Sequence, residues 1–96
     1  MLQSGFLFFR DRMKARVFMN EKILQMVQMV NPDVPSDPET KLIDEGYVDS
    51  FGAYMILAQI ELEFGIAAEE SEMCYDNFKD IRSIAAFVSG KLEAKR

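Results

Sequence analysis

The chain contains no histidine, and that absence narrows its chemistry more than any residue it has. Histidine is the side chain that ordinarily titrates near neutral pH, so a nucleophilic triad of the Ser–His kind has no base here. Cys74 is the only cysteine, which excludes an internal disulfide framework and a thiolate metal cluster. Between Leu42 and Phe78 there is no lysine or arginine, while Asp44, Glu45, Asp49, Glu61, Glu63, Glu69, Glu70, Glu72 and Asp76 all fall inside that stretch. Such a surface repels nucleic acid phosphates; it suits basic protein partners, or serves simply as a solvated face. The first apolar run, Phe6–Phe9, is far too short to span a bilayer.

What is present fits one small domain. Ninety-six residues bury only about two-thirds of their unfolded surface. An apolar content of 49% supports a packed core and is too high for a disordered tail. Little material is left for a deep substrate cleft. Together these features argue against a free-standing enzyme.

The most informative stretch is Gly46–Phe64, GYVDSFGAYMILAQIELEF. A loop ends at Asp49 and an apolar-periodic run begins at once. Asp or Ser at such a junction can accept hydrogen bonds from backbone N–H groups that lack intrahelical partners. The spacing predicts a helix over Ser50–Phe64, stopped by Gly65, which can turn left-handed without steric cost. At about 100° per residue, Ala53, Ile56, Leu57, Ile60 and Phe64 form one stripe, an ordinary core face. Phe51, Met55, Ala58 and Leu62 form another, roughly opposite. That second stripe is either buried on its own side or displayed for binding, and display is the preferred reading in so small a domain.

The rest of the chain falls into order around this helix. Asn20–Val30 reads as a first helix, with Ile23, Met26, Val27 and Val30 at helical spacing and Asn31-Pro32 as its stop. Asn31–Asp49 is a long loop holding all three prolines, with Leu42-Ile43 expected to tuck into the core. Its acids do not make a calcium loop: counting from Asp33, Pro38 stands where Gly is needed and Asp44 where a bidentate Glu is usual. No metal site is expected. Asp76–Phe78 reads as a short helix anchored by Phe78, and Ile81–Leu92 as the last one, with Ile81, Ile84, Ala85, Val88 and Leu92 as its stripe. No strand pattern competes.

Residues 1–18, MLQSGFLFFRDRMKARVF, differ from everything after them. Their positive charges follow the apolar run instead of preceding it, which is not the order of a secretory signal. As a helix they place Leu2, Phe6, Phe9, Met13 and Val17 on one face, with Arg10, Arg12, Lys14 and Arg16 elsewhere. That basic amphipathic pattern suits a membrane surface or a fold-back onto the acidic domain. The simpler expectation is an extension, disordered or amphipathic, outside a domain of residues 19–96.

The run LIDEGYVDSF, about four turns of helix ending in EFGI, and then NFKDIRSIAAFV resemble the acyl carrier protein family over Asn20–Leu92. The DSFG form is most similar to stand-alone carriers such as the D-alanyl carrier proteins. The resemblance implies an all-α bundle of three main helices, with a short helix before the last. It also implies 4'-phosphopantetheine on Ser50, the residue that matches the family's Asp-Ser-(Leu/Phe) motif. Implied partners are a phosphopantetheinyl transferase, an adenylate-forming acyl or aminoacyl ligase, and a downstream acyltransferase or synthase, in the cytoplasm. Asp44, Glu45 and Asp49 before the helix, with Phe51, Met55 and Leu62 along it, are the expected recognition surface. The residue matching Asp49 also helps engage the loading transferase. The sequence departs from fatty-acid-synthesis carriers, which place acids at the positions of Met55 and Leu62 and an Asp at Gly52. Two alternatives stay open: an amino acid as cargo, and an acidic helical interaction module in which Ser50 is only a cap.

Overall fold

The computed structural model describes residues 2–95, with side chains from Arg16 onward. Four α-helices follow one another: α1 (Leu2–Val30), α2 (Ser50–Phe64), α3 (Tyr75–Phe78) and α4 (Ile81–Ala94). A 3-10 turn, Glu70–Glu72, precedes α3. Among the described residues there is no strand. The architecture is the expected all-α one, three substantial helices with a short one before the last.

The bounds of α2 match those read from the sequence because both ends carry explicit cap chemistry. Asp49 is extended and its Oδ1 accepts the Gly52 N–H at 2.7 Å. Gly65 adopts the left-handed conformation, φ 65° and ψ 36°, and donates its N–H to the Glu61 carbonyl. Asp80 caps α4 in the same way as Asp49 caps α2, accepting the Ser83 N–H at 2.7 Å.

α1 differs from expectation. It starts at Leu2, not Asn20, because no proline or strong cap interrupts the helix-forming residues before Asn20. Of the amphipathic face expected there, Leu2, Phe6, Phe9 and Met13 lie outside the described side chains, and Val17 is exposed. Among the described residues no helix is long and apolar enough to cross a membrane.

The core gathers Ile23 and Val27 from α1, Ile56 and Ile60 from α2, and Ile81, Ile84 and Val88 from α4, all essentially inaccessible. Leu42 joins them from the long loop, as expected, and so do Val34 and Val48. α1 packs against both α2 and α4. A Cβ on Gly52, near the start of α2, would stand 3.3 Å from Val30 at the end of α1, whereas Lys22 pairs with Glu63 near the end of α2. The two helices therefore run antiparallel.

The start of α4 comes to the same pole as the start of α2. There the loop is tied down by backbone bonds from Leu42 N–H to the Lys79 carbonyl, 2.9 Å, and from Arg82 N–H to the Pro38 carbonyl, 3.0 Å. At the other pole Lys95 donates to the Gly65 carbonyl. Glu72 accepts the Glu69 N–H at 2.8 Å and the Lys91 ammonium at 2.9 Å. These two bonds, the backbone one first, hold its carboxyl below the ordinary range.

Candidate functional site

Ser50 is the first residue of α2, and it is exposed. The cap is made by its neighbour: Asp49 Oδ1 takes the Gly52 N–H, leaving the Ser50 hydroxyl without a structural hydrogen bond among the described residues. The Ala53 N–H bonds the Asp49 carbonyl at 2.9 Å, closing the first turn. The N–H groups of Ser50 and Phe51 stand before that ladder begins. They form the positive end of the helix, where an anion is favoured by dipole and donors together.

Gly52 does not belong to the outer surface. It is buried where α2 meets α1 and the loop, with Val30 Cγ1, Val48 Cγ1 and Asp49 Oδ1 each 3.3 Å from where a Cβ would stand. A side chain there would need those neighbours to give by a few tenths of an ångström. Position 52 thus lies in the packed interior, and the outer face of α2 is set by Phe51, Met55 and Leu62.

The two stripes of α2 separate as the helical wheel divided them. Ala53, Ile56, Leu57 and Ile60 are buried, and Phe64 is half-buried. Phe51 is 73% exposed, Met55 41% and Leu62 87%, so this apolar face is displayed to solvent. Asp44, Glu45 and Asp49 are also exposed, in the loop leading to Ser50. Tyr54, 54% exposed, lies on the same side of α2 and was not singled out from the sequence. Its position one turn after Ser50 on the wheel was the available signal.

A groove of about 360 Å³ opens beside Ser50. Ser50, Ala53 and Tyr54 of α2 line one side, and Met73, Cys74 and Tyr75 the other. The Tyr75 hydroxyl donates to Asp44 Oδ2 at 2.7 Å, joining α3 to the loop. That bond, followed by burial and the Asp44 charge, raises the Tyr75 pKa above its ordinary 10.0. Asp44 is thus engaged with Tyr75 as well as displayed. Among the described residues no group of three or more His, Cys, Asp or Glu is placed to hold a metal.

The geometry is that of a small helical bundle with an exposed hydroxyl at the start of α2, an acidic loop leading to it and an apolar outer face along the helix. The family described as "Phosphopantetheine attachment site" matches residues 21–88. The chain is 31% identical over 78 residues to the D-alanyl carrier protein of Abiotrophia defectiva, covering 79% of this chain and 99% of that protein. It is 31% identical over 75 residues to the D-alanyl carrier protein of Lactococcus lactis subsp. lactis strain IL1403, covering 76% and 95%. The counterpart from subsp. cremoris strain MG1363 is 29% identical over 77 residues, covering 78% and 98%. No solved structure matches the chain at comparable significance. The chain belongs to the phosphopantetheine-binding carrier proteins, and its cofactor is covalent 4'-phosphopantetheine. The described site fits such a group, with a free hydroxyl, unpaired helix N–H groups for a phosphodiester, and an adjoining groove.

Proposed function

We propose that Ser50 carries the 4'-phosphopantetheine and that the protein tethers an acyl or aminoacyl group on it for partner enzymes. The observation that carries this reading is that the fold leaves the Ser50 hydroxyl unused and exposed while Asp49 supplies the cap. A cap role for Ser50 is redundant beside Asp49, which weighs against the unmodified interaction module. The cofactor supplies a flexible arm whose terminal thiol forms a thioester. The chain supplies attachment, orientation and presentation, and it is not an enzyme. With no histidine, it has no neutral-pH base to hydrolyse its own cargo.

Tethering makes the meeting of cargo and active site intramolecular, which raises effective concentration once a partner has docked. Asp44, Glu45 and Asp49 steer basic partners, a phosphopantetheinyl transferase first. Phe51, Met55 and Leu62 then fix the register. Loading falls to an adenylate-forming ligase and unloading to an acyltransferase or synthase, in the cytoplasm. The names of the relatives support an aminoacyl cargo. The carrier domain is residues 19–96, with 1–18 an extension outside it, in keeping with a family match that begins at residue 21.

The test is loading of the phosphopantetheinylated chain with ATP and adenylating ligases, offered amino acids and simple carboxylic acids in parallel. A hydroxylamine-sensitive mass gain with one class of acid, absent in Ser50→Ala, is the expected result. Loading that persists in Ser50→Ala would overturn the assignment.

A further inference from the structure

Residues 1–18 and 19–96 carry opposite net charge. The first stretch has four basic side chains and one acidic, net +3; the second has seven and fifteen, net −8. α1 runs unbroken from Leu2 to Val30, yet Arg16, Val17 and Phe18 are exposed and Met19 is the first described side chain to pack against the core. Because α1 is antiparallel to α2 and Lys22 stands beside Glu63, the helix before Met19 continues past the end of α2, at the pole away from Ser50. At 1.5 Å per residue that projection is about 25 Å long.

The projecting segment has an apolar face of its own. At about 100° per residue, Leu2, Phe6, Phe9, Met13 and Val17 fall together, bordered by Arg10 and Lys14 on one side and Arg12 and Arg16 on the other. This face is turned about 90° from the stripe of Ile23, Met26, Val27 and Val30, so it does not prolong the core side of α1. The outer stripe of α2 is its counterpart with the charge reversed. Phe51, Met55 and Leu62 are exposed along it, with Asp44, Glu45 and Asp49 before the stripe and Glu63 after it, all exposed. The lengths also agree, since the 15 residues of α2 rise about 22 Å.

Three acceptors could cover the segment. Its own domain is out of reach while α1 stays unbroken, because the chain would have to reverse direction. An anionic membrane would attract the basic border but repel the −8 charge of the attached domain. The acidic, apolar stripe of another chain matches both halves of the segment's chemistry.

We propose that the basic segment of one chain lies along the outer α2 stripe of a second copy of this chain, and that the exchange is reciprocal. Reciprocity closes the pair, whereas one-way docking would leave open ends. The consequence rests on the reading of this stripe as the docking surface for the loading transferase: the dimer covers it, so concentrated protein is loaded more slowly per chain than dilute protein.

The test is sedimentation equilibrium of the full chain at low ionic strength and rising concentration. The parent should pass from monomer to dimer, and added salt should reverse this by screening the charges. Arg12→Glu with Arg16→Glu, on the segment, and Glu45→Lys with Glu63→Lys, on the stripe, should each weaken the dimer about tenfold, the contact being made twice. Circular dichroism verifies that both variants keep their helices. An equal mixture of the two should regain nearly the parent's affinity, since each segment then meets a stripe of opposite charge. A dimer indifferent to the stripe variant, or a mixture no tighter than the variants alone, would mean that segments pair with one another and would overturn the proposal. So would a parent that stays monomeric throughout, whether or not it pellets with phosphatidylglycerol vesicles. Transferase docking is judged separately, from loading rates of stripe variants in protein dilute enough to be monomeric, so a monomeric parent leaves that reading standing.

Discussion

The two apolar faces of α2 have nearly the same composition and opposite fates. On the inner face Ala53, Ile56, Leu57 and Ile60 are buried in the core that α2 shares with α1 and α4; on the outer face Phe51, Met55 and Leu62 stand in solvent. Apolar character alone therefore does not say which face a helix buries. The inner residues hold the fold. The outer ones are largely uncovered by it, and the stripe beside the exposed Ser50 is the surface we propose for transient partners.

The sharpest way to break the comparison is from the inside. Ile60→Ala removes a fully buried side chain where surrounding helices cannot collapse freely, and should cost about 2–5 kcal/mol in urea unfolding. Leu62→Ala, two residues away and 87% exposed, should change stability by no more than about 0.5 kcal/mol. Similar losses from the two would show that the outer stripe is structural after all.

From the outside the expected effect is kinetic. The pair Phe51→Asp and Leu62→Asp should leave unfolding nearly unchanged yet slow phosphopantetheinyl transfer about tenfold, equivalent to about 1.4 kcal/mol of transition-state stabilisation. An unchanged rate at limiting carrier concentration would remove the stripe from the recognition surface. At the junction of the two faces, Asp49→Ala loses the α2 cap and should cost about 0.5–2 kcal/mol. Asp49→Asn, which keeps a cap oxygen, should recover most of that stability. Any deficit in loading that remains in Asp49→Asn then reports the charge itself.

The smallest effect concerns the bond that ties α3 to the loop. Tyr75 has its pKa raised in the folded state, so its contribution is fully present below pH 10 and is lost as pH rises through the higher folded value. Asp44→Asn should bring the Tyr75 titration, followed by phenolate absorbance, back toward the ordinary range. No movement in that titration would mean that the hydroxyl and Asp44 do not interact in solution.

What was legible in the sequence follows from where the information is local. The bounds of α2 were readable because Asp49 and Gly65 carry their cap chemistry within a few residues of each end. The inner stripe was readable from helical spacing alone. The start of α1 was not, since Asn20 is only a weak start signal and no proline stands before it to break a helix. The burial of Gly52 was not readable either, because its neighbours Val30 and Val48 are brought there by tertiary packing. The groove was hidden for the same reason: Tyr75 and Asp44 are 31 residues apart, and no periodicity relates them. Cys74, read as a lone thiol, acquired a neighbourhood only when α3 was placed beside Ser50.

The central claim is that one hydroxyl, at the start of α2, receives the arm. The most direct test incubates the full chain with coenzyme A and a broad-specificity phosphopantetheinyl transferase, then locates the added mass by fragmentation of the intact protein. The account expects a single phosphopantetheine on Ser50 and none on Ser50→Ala. An arm found at Ser4, Ser36, Ser71, Ser83 or Ser89, or a folded parent that gains none from an active transferase, would contradict it.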